Sequence, residues 1–344
     1  MTTLKVCQIG CGYWGPNLMR NVAAHPRADL AGICDIDEPT RAKFSQLYPD
    51  ARLYESLDDV LSDDEIEAVI IATPSGMHVY QTSRALAANK HVLVEKPLAE
   101  TVSDATRLHE AARAVDRTLM VGHVFLYNNL VHYVDDIIAS GELGEVQYIY
   151  SQRLNLGRFR HDSDVLWTLA PHDVSIINRW LKSRPVEVRA SGMSFVHRDS
   201  NVAEVCFAEM KFENGQAAHL HLSWLDPQKR RDMVVIGSKR MLLYDDMNHD
   251  RHIQIFDKSA EAEFQGDVAS FAQFRTKIRA GNIVVPEISL TEPLGAEIDD
   301  FITCCLDGGK PLADSAHAID VTAALEAMAE SMRTDRGPKA VEYP

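Results

Sequence analysis

The sequence predicts an α/β protein that opens with a parallel, doubly wound sheet and continues into a second half with a mixed or antiparallel sheet. Three observations predict it. From Leu4 to Gly122, short apolar strands alternate with amphipathic helices, the order that builds a parallel sheet. Runs such as Val69-Ile70-Ile71-Ala72 are continuously apolar, as strands covered on both faces are. After about His123 the strands lengthen, and two of them flank Glu213-Asn214-Gly215-Gln216, where Asn-Gly is a strong hairpin signal.

Taken in order, the expected strands of the first half are Leu4–Ile9, Asp29–Cys34, Ala68–Ala72, His91–Val94 and Thr118–Val121. A helix over Asn17–Ala24 follows the first strand. In Thr101–Val115, residues Val102, Ala105, Leu108, Ala111, Ala112 and Val115 keep helical spacing, and Thr101 or Ser103 suits the cap. The second half offers strands over Glu145–Leu154, Val202–Phe212, Ala217–Trp224, Met233–Ile236 and Met241–Tyr244. Helices are expected at Pro171–Leu181, near Pro293–Leu306 and over Ala316–Met332, and Lys258–Gly266 reads as an exposed loop. The change of pattern divides the chain into domains at 1–122 and 123–344.

Composition narrows the function. A chain of 344 residues suggests about two domains. With 46% hydrophobic and 25% charged residues it has enough apolar surface to fold, which excludes disorder. No apolar run approaches the roughly 18 residues of a membrane span. Met1–Gly10 reads as a strand rather than a signal peptide, so a cytoplasmic location is expected. A net charge of −15 disfavours nucleic acid and anionic membranes as partners. The six cysteines show no paired C-x-x-C units, and reduced thiols are expected. His219 and His221 share a strand face without a third ligand nearby, so no metal site is expected.

Gly10-Cys11-Gly12-Tyr13-Trp14-Gly15 is a G-x-G-x-x-G loop between a strand and a helix. Gly10 makes the turn, Gly12 admits a pyrophosphate to the backbone, and Gly15 packs helix on strand. The helix start offers free N–H groups, and Pro16 suits a first turn. Asp35 ends the second strand twenty residues after Gly15, where a carboxylate accepts from the adenosine ribose. It would repel a 2′-phosphate, so NAD is the expected cofactor. His91-Val92-Leu93-Val94-Glu95-Lys96-Pro97 places Lys96 at a strand end facing the ligand crevice. Burial and a cationic nicotinamide would lower the proton affinity of that lysine and suit it for proton transfer.

These motifs, with Ala72-Thr73-Pro74, His78, Val121-Gly122-His123 and Pro171-His172-Asp173, occur in order along both halves. The chain resembles the glucose–fructose oxidoreductase / inositol dehydrogenase (Gfo/Idh/MocA) family. The resemblance implies an N-terminal Rossmann domain followed by an α/β domain with an open, predominantly antiparallel sheet. It implies that Lys96 is catalytic, that Lys96–Pro97 is cis, and that Thr73, Pro74, His78 and Glu95 line the cofactor cleft beside Gly10, Gly12, Tyr13, Trp14, Gly15 and Asp35. It also implies a homodimer or homotetramer joined through the second sheet. The family commonly places an aspartate four residues before its catalytic histidine. Here His172 matches the histidine, as a base or substrate anchor, but Thr168 stands in the aspartate position. Asp173 is read as a helix-start acid.

A narrower resemblance, to sugar-nucleotide 3-dehydrogenases, is carried by Gly12-Tyr13-Trp14-Gly15-Pro16-Asn17, by Gly122-His123-Val124-Phe125-Leu126-Tyr127-Asn128 and by Leu166-Trp167-Thr168-Leu169-Ala170-Pro171-His172. It implies oxidation at C3 of a sugar such as UDP-N-acetylglucosaminuronate, with Trp167 and His172 on the substrate side. A sister group reduces 3-keto sugars. Arg153, Arg158, Arg160 and His161 form a basic stretch suited to an anionic substrate, with Arg158 the leading contact. Two other readings compete: a dehydrogenase of inositol or a free sugar, and a nicotinamide-binding regulator without activity.

Overall fold

The structure, a computed structural model, describes residues 2–157, 159–161, 163–200, 202–265, 273–334 and 337–344. In chain order its elements are β1 (Leu4–Ile9), α1 (Gly15–Ala24), β2 (Ala28–Cys34), α2 (Glu38–Leu47), β3 (Arg52–Tyr54), α3 (Leu57–Leu61), β4 (Ala68–Ile71), α4 (His78–Ala87), β5 (His91–Val94), α5 (Val102–Ala114), β6 (Leu119–Val121), α6 (Asn129–Ala139), β7 (Val146–Leu156), α7 (Val165–Leu181), β8 (Pro185–Met193), β9 (Val205–Phe212), β10 (Ala217–Ser223), β11 (Leu225–Gly237), β12 (Met241–Asp245), β13 (Ile253–Gln265), β14 (Gln273–Val284), α8 (Pro293–Asp307), α9 (Ser315–Arg333) and β15 (Lys339–Ala340).

Two compact units result. The first comprises Met1–Asn128, Thr291–Glu326 and Tyr343–Pro344, and the second Asn129–Leu290 and Ala327–Glu342. A linear division after residue 122 does not anticipate the return of α8 and the start of α9 to the first unit. That return is driven by burial. Leu294, Ile298, Phe301 and Ile302 of α8 share a core with Leu18, Met19 and Val22 of α1 and with Val6, Ile70 and Leu93 of the sheet. On the opposite face, Ala318 and Ile319 of α9 pack with Leu86, Ala105, Leu108 and Ala112. Both faces of the strands are therefore covered, which is why those strands are apolar without alternation.

The first sheet has the order β3-β2-β1-β4-β5-β6, with every pair parallel. The chain runs outward in one direction from β1 and in the other from β4. The crevice at the carboxyl ends of β1 and β4 is thus the switch point, where such sheets bind ligands. Thr101 caps α5 by accepting from the Asp104 N–H.

The second sheet has nine strands in the order β14-β13-β12-β11-β7-β10-β9-β8-β15. Its β10–β7 pair is parallel and its other pairs are antiparallel. The expected hairpin joins β9 to β10, with Gly215 at φ +84° and the Phe212 N–H donating to the Gln216 carbonyl at 2.9 Å. Trp180 of α7 is buried edge-on to Tyr244, and its indole donates to the Val131 carbonyl at 3.0 Å.

Four expectations in this unit are corrected. Lys258–Gln265 is not a loop but part of β13, paired antiparallel with β14, and Gly266 lies outside the described residues; a run of charged and small residues leaves no apolar alternation to read. The helix expected at Pro171 begins at Val165, where the Asp164 side chain accepts from the Trp167 N–H at 3.0 Å, and Pro171 lies inside it. Asp173 is therefore mid-helix rather than at a helix start. It is buried and ion-paired with Arg153 at 2.6 Å, and the Ser151 hydroxyl donates to its other oxygen at 2.8 Å. Arg153 is likewise buried, at 6% exposure, which removes it from the basic stretch assigned to the substrate.

Breaking this pair strands a buried charge. Asp173→Asn or Arg153→Met is expected to cost about 3–5 kcal/mol, whereas a double apolar replacement recovers most of that loss. Denaturant titration of the three variants checks it.

Candidate active site

The site begins with backbone geometry. After β1 the chain turns at Gly10, with φ +83°. A Cβ there would lie 2.8 Å from the Ala72 carbonyl oxygen, and one on Gly15 would lie 2.5 Å from the Gly10 carbonyl oxygen. The fold itself demands those two glycines. Gly12 differs, because a Cβ on it would meet nothing within 4 Å. A glycine at that point keeps open the space through which a pyrophosphate approaches the loop and the start of α1. From below, the buried Gln8 amide donates to the Gly10 carbonyl at 2.9 Å.

Asp35 follows β2. Its carboxylate accepts the Cys11 N–H at 2.7 Å on one oxygen and the Asp37 N–H at 2.9 Å on the other. Each oxygen keeps a further lone pair for a ribose hydroxyl. The neighbouring cation, Arg41, is committed to the Asp35 carbonyl at 2.7 Å and to Glu55 at 2.9 Å. Gly12 and Asp35 together fit a dinucleotide.

The loops after β4 and β5 are tied together. One ring nitrogen of the buried His78 faces the Pro97 carbonyl at 2.8 Å and the other the Thr73 carbonyl at 2.9 Å. Burial lowers its proton affinity against the pull of the two carbonyls. Thr73 donates to Gln81 at 2.6 Å, and the Pro74 carbonyl accepts the Met77 N–H at 2.9 Å. Lys96–Pro97 is cis. Glu95 is pushed up to about 7 by burial, opposed by Lys96, by the Lys96 backbone N–H and by a hydrogen bond with Trp14. Gly122 explains itself here: a Cβ on it would sit 3.0 Å from the Glu95 carboxyl carbon. The adjacent His123 is held well below its usual range by burial and then by His317 and Lys96. Tyr13, by contrast, is 86% exposed.

In the second unit, Thr168 and His172 lie one turn apart on α7. The Thr168 hydroxyl donates to the helix carbonyls of Asp164 and Val165 at 3.0 and 3.2 Å. Trp167 is buried. Arg158 lies outside the described residues, and Arg160 and His161 are exposed. The His161 ring stands 4.8 Å from that of His197. His197 belongs to a loop closed around the buried Glu204. Burial alone would push that acid up, but the N–H groups of Val196, Phe195 and His197, with the His197 ring, bring it down to about 2. On β10, His221 stacks on Phe207 at 4.4 Å.

Sequence reasoning missed two acids and one clamp: Glu204, the Arg41–Glu55 pair, and Glu297 of α8. For Glu297 a signal exists. It falls on the apolar stripe of Leu294, Ile298 and Phe301, where an acid is out of place.

A glycine turn at the switch point of a parallel sheet, with an acid at the end of the next strand, defines a dinucleotide-binding α/β protein. The chain belongs to the Gfo/Idh/MocA oxidoreductases. Residues 4–123 match the family's NAD-binding Rossmann domain and residues 131–243 its C-terminal domain. It is 27% identical to UDP-N-acetylglucosamine 3-dehydrogenase of Acidithiobacillus ferrooxidans over 303 residues, 88% of each chain. A structure of that enzyme superposes with a TM-score of 0.78 over 98% of this chain and 100% of that one, at 24% identity. It is 28% identical to an NADP-dependent scyllo-inositol 2-dehydrogenase of Bacillus subtilis over 166 residues, 47% of this chain and 46% of that one. A crystal structure of GenD2, from gentamicin A biosynthesis, in complex with NAD, superposes with a TM-score of 0.82, covering 99% and 97% of the two chains at 22% identity. Among the described residues no helix is long and apolar enough to cross a membrane.

The glycines should separate fold from binding. Gly12→Val is expected to leave the melting temperature unchanged and to weaken NADH binding at least tenfold, about 1.4 kcal/mol. Gly15→Val is expected to lower the melting temperature as well. Thermal melts paired with NADH fluorescence titration read both.

Proposed function

We propose that the protein oxidises a sugar hydroxyl with NAD, its substrate being C3 of a nucleotide-linked sugar such as a UDP-N-acetylhexosaminuronate. The observation that carries the cofactor side is the open face of Gly12 beside the held carboxylate of Asp35. For the substrate, support comes from the 27% identity to UDP-N-acetylglucosamine 3-dehydrogenase across 88% of both chains. In this reading Gly10, Gly12, Tyr13, Trp14, Gly15 and Asp35 hold the dinucleotide, while Thr73, Pro74, His78 and Glu95 shape the cleft. NAD, when bound, supplies the hydride acceptor. Lys96 takes the proton of the hydroxyl being oxidised, and Trp167, His172 and Arg158 contact the sugar or its carrier. Thr168 cannot hold a proton as an aspartate would, so the proton rests on Lys96 in this reading.

A second reading, an inositol dehydrogenase, is favoured by the identity to the scyllo-inositol enzyme, which covers less than half of each chain. We also assign the outward face of the second sheet to contact between copies in the cytoplasm, as a homodimer or homotetramer. Tyr148, Tyr150 and Phe207 are 39%, 37% and 47% exposed there. A cluster of large apolar side chains on one face suits association. Sedimentation at micromolar protein should give at least a dimer mass, and a monomer mass contradicts this.

The substrate reading predicts that UDP- or TDP-sugars, with NAD present, raise the melting temperature where inositols do not. Stabilisation by inositols alone favours the second reading. On the sugar that responds, Lys96→Met is expected to keep NADH affinity and lose about 10²–10⁴-fold in turnover. Near-normal turnover would remove Lys96 from the chemistry.

A further inference from the structure

Glu204 lies just before β9 and is buried at 1% exposure, with the loop that follows β8 closed around it. Its carboxylate is fully engaged. One oxygen accepts the Phe195 and Val196 N–H groups, each at 2.7 Å. The other accepts the His197 backbone N–H at 2.8 Å and the His197 ring Nδ1 at 2.9 Å. Four donors fill the roughly four lone-pair sites of a carboxylate. They outweigh burial and bring the acid down to about 2.

An ionised carboxylate only accepts, so Nδ1 carries a hydrogen and Nε2 is left on the opposite edge of the ring. The His197 side chain is 37% exposed, and Nε2 has no hydrogen-bond partner among the described residues. A second imidazole stands beside it. The His161 ring centre lies 4.8 Å away with the planes at 77°, and His161 is exposed, with no hydrogen-bond partner among the described residues. Phe159 packs edge-on against both His197, at 5.7 Å, and the buried Trp224, at 6.2 Å.

Backbone bonds tie this place to the start of α7. The Val165 N–H donates to the Ala203 carbonyl at 2.9 Å, the Trp224 N–H to the Glu204 carbonyl at 3.0 Å, and the Gly157 N–H to the Trp224 carbonyl at 3.0 Å. The two imidazoles therefore belong to the same end of the second unit as the first turn of α7, which carries Trp167.

A metal does not suit them. Glu204 has no lone pair to give, and two imidazoles fall short of the three or four protein ligands of a zinc site. Among the described residues no group of three His, Cys, Asp or Glu side chains could hold a metal. An oxyanion does suit them. An imidazolium set between the Glu204 carboxylate and a second anion makes a charge-assisted hydrogen bond at each ring nitrogen. The described neighbours of the two histidines in sequence include exposed Arg160 and Arg198, against one exposed acid, Asp199.

We propose that His197, oriented by Glu204, forms with His161 a subsite for an oxyanion of the substrate: the diphosphate of a nucleotide carrier or the carboxylate of a uronate. As a substrate contact the subsite rests on the sugar reading above; as an anion site it stands apart from it.

Calorimetric titration of the full chain at low ionic strength, with NADH saturating the dinucleotide site, tests this with UDP, uridine and glucuronate. Binding of UDP without binding of uridine assigns the subsite to the diphosphate, and binding of glucuronate assigns it to the carboxylate. His197→Asn keeps an N–H for Glu204 where Nδ1 stands and removes Nε2. It is expected to hold the parent's melting temperature and to weaken the responding anion about tenfold, as the loss of one hydrogen bond to a charged group does. A purely structural histidine would be rescued by that asparagine. His161→Phe, at an exposed position, is expected to weaken the same anion with the melting temperature unchanged, and reads the subsite even if His197→Asn folds poorly. Unchanged anion affinity in both variants overturns the proposal. So does a parent that binds none of the anions, or one that binds uridine as tightly as UDP and no glucuronate. A response to Zn²⁺ that both variants abolish, with anion affinity unmoved, replaces it with a metal site. If the anion effects hold but no sugar is oxidised, the sugar reading fails and the subsite stands.

Discussion

The turn at Gly10 is packed so closely that the rest of the site has little freedom. The Ala72 carbonyl presses on one side of it and Gly15 on the other, at distances that admit no side chain. The chain leaves β1, reverses with a positive φ and enters α1 at once. That path points the Cys11 N–H at Asp35 and brings the carboxyl end of β4 alongside. A close approach of backbone to backbone thus fixes the course of the loop and the position of the Asp35 carboxylate beside it. Gly12 is left open, with nothing within 4 Å of a Cβ placed on it.

Charge in this protein is governed by what burial leaves unpaired. In the second unit Arg153 and Asp173 are both buried and form an ion pair, in which each supplies what the other lacks and Ser151 fills a remaining position. In the first unit neither oxygen of the buried Glu297 has a hydrogen-bond partner among the described residues, whereas Glu95 has several partners. The same physics yields an ion pair in one place and raises an acid well above its ordinary range in the other. His78 and His123 follow suit, with burial lowering both.

Features set by local backbone rules were legible in the sequence. The glycine loop, the spacing to Asp35, the Thr101 cap and the Asn214-Gly215 turn each depend on a few neighbouring residues, and each is found where expected. Features set by distant partners were not. Arg153 reads as a substrate cation until Asp173, twenty residues on, is brought against it by the packing of α7 on β7. Pro171 reads as a helix start, because a proline inside a helix forfeits a hydrogen bond, yet the cap at Asp164 and the buried face of α7 outweigh that loss. The return of α8 to the first sheet joins residues nearly three hundred positions apart, which no window of sequence contains.

That Asp35, fixed by the glycine turn, reads the adenosine ribose of NAD is tested most directly on the unmodified protein. Fluorescence titrations with NADH and with NADPH at matched, low ionic strength compare ligands that differ only in the 2′-phosphate. Repulsion between that phosphate and the Asp35 carboxylate predicts binding of NADH at least about tenfold tighter, with the gap narrowing as salt is added. Equal affinity, or a preference for NADPH, would contradict it.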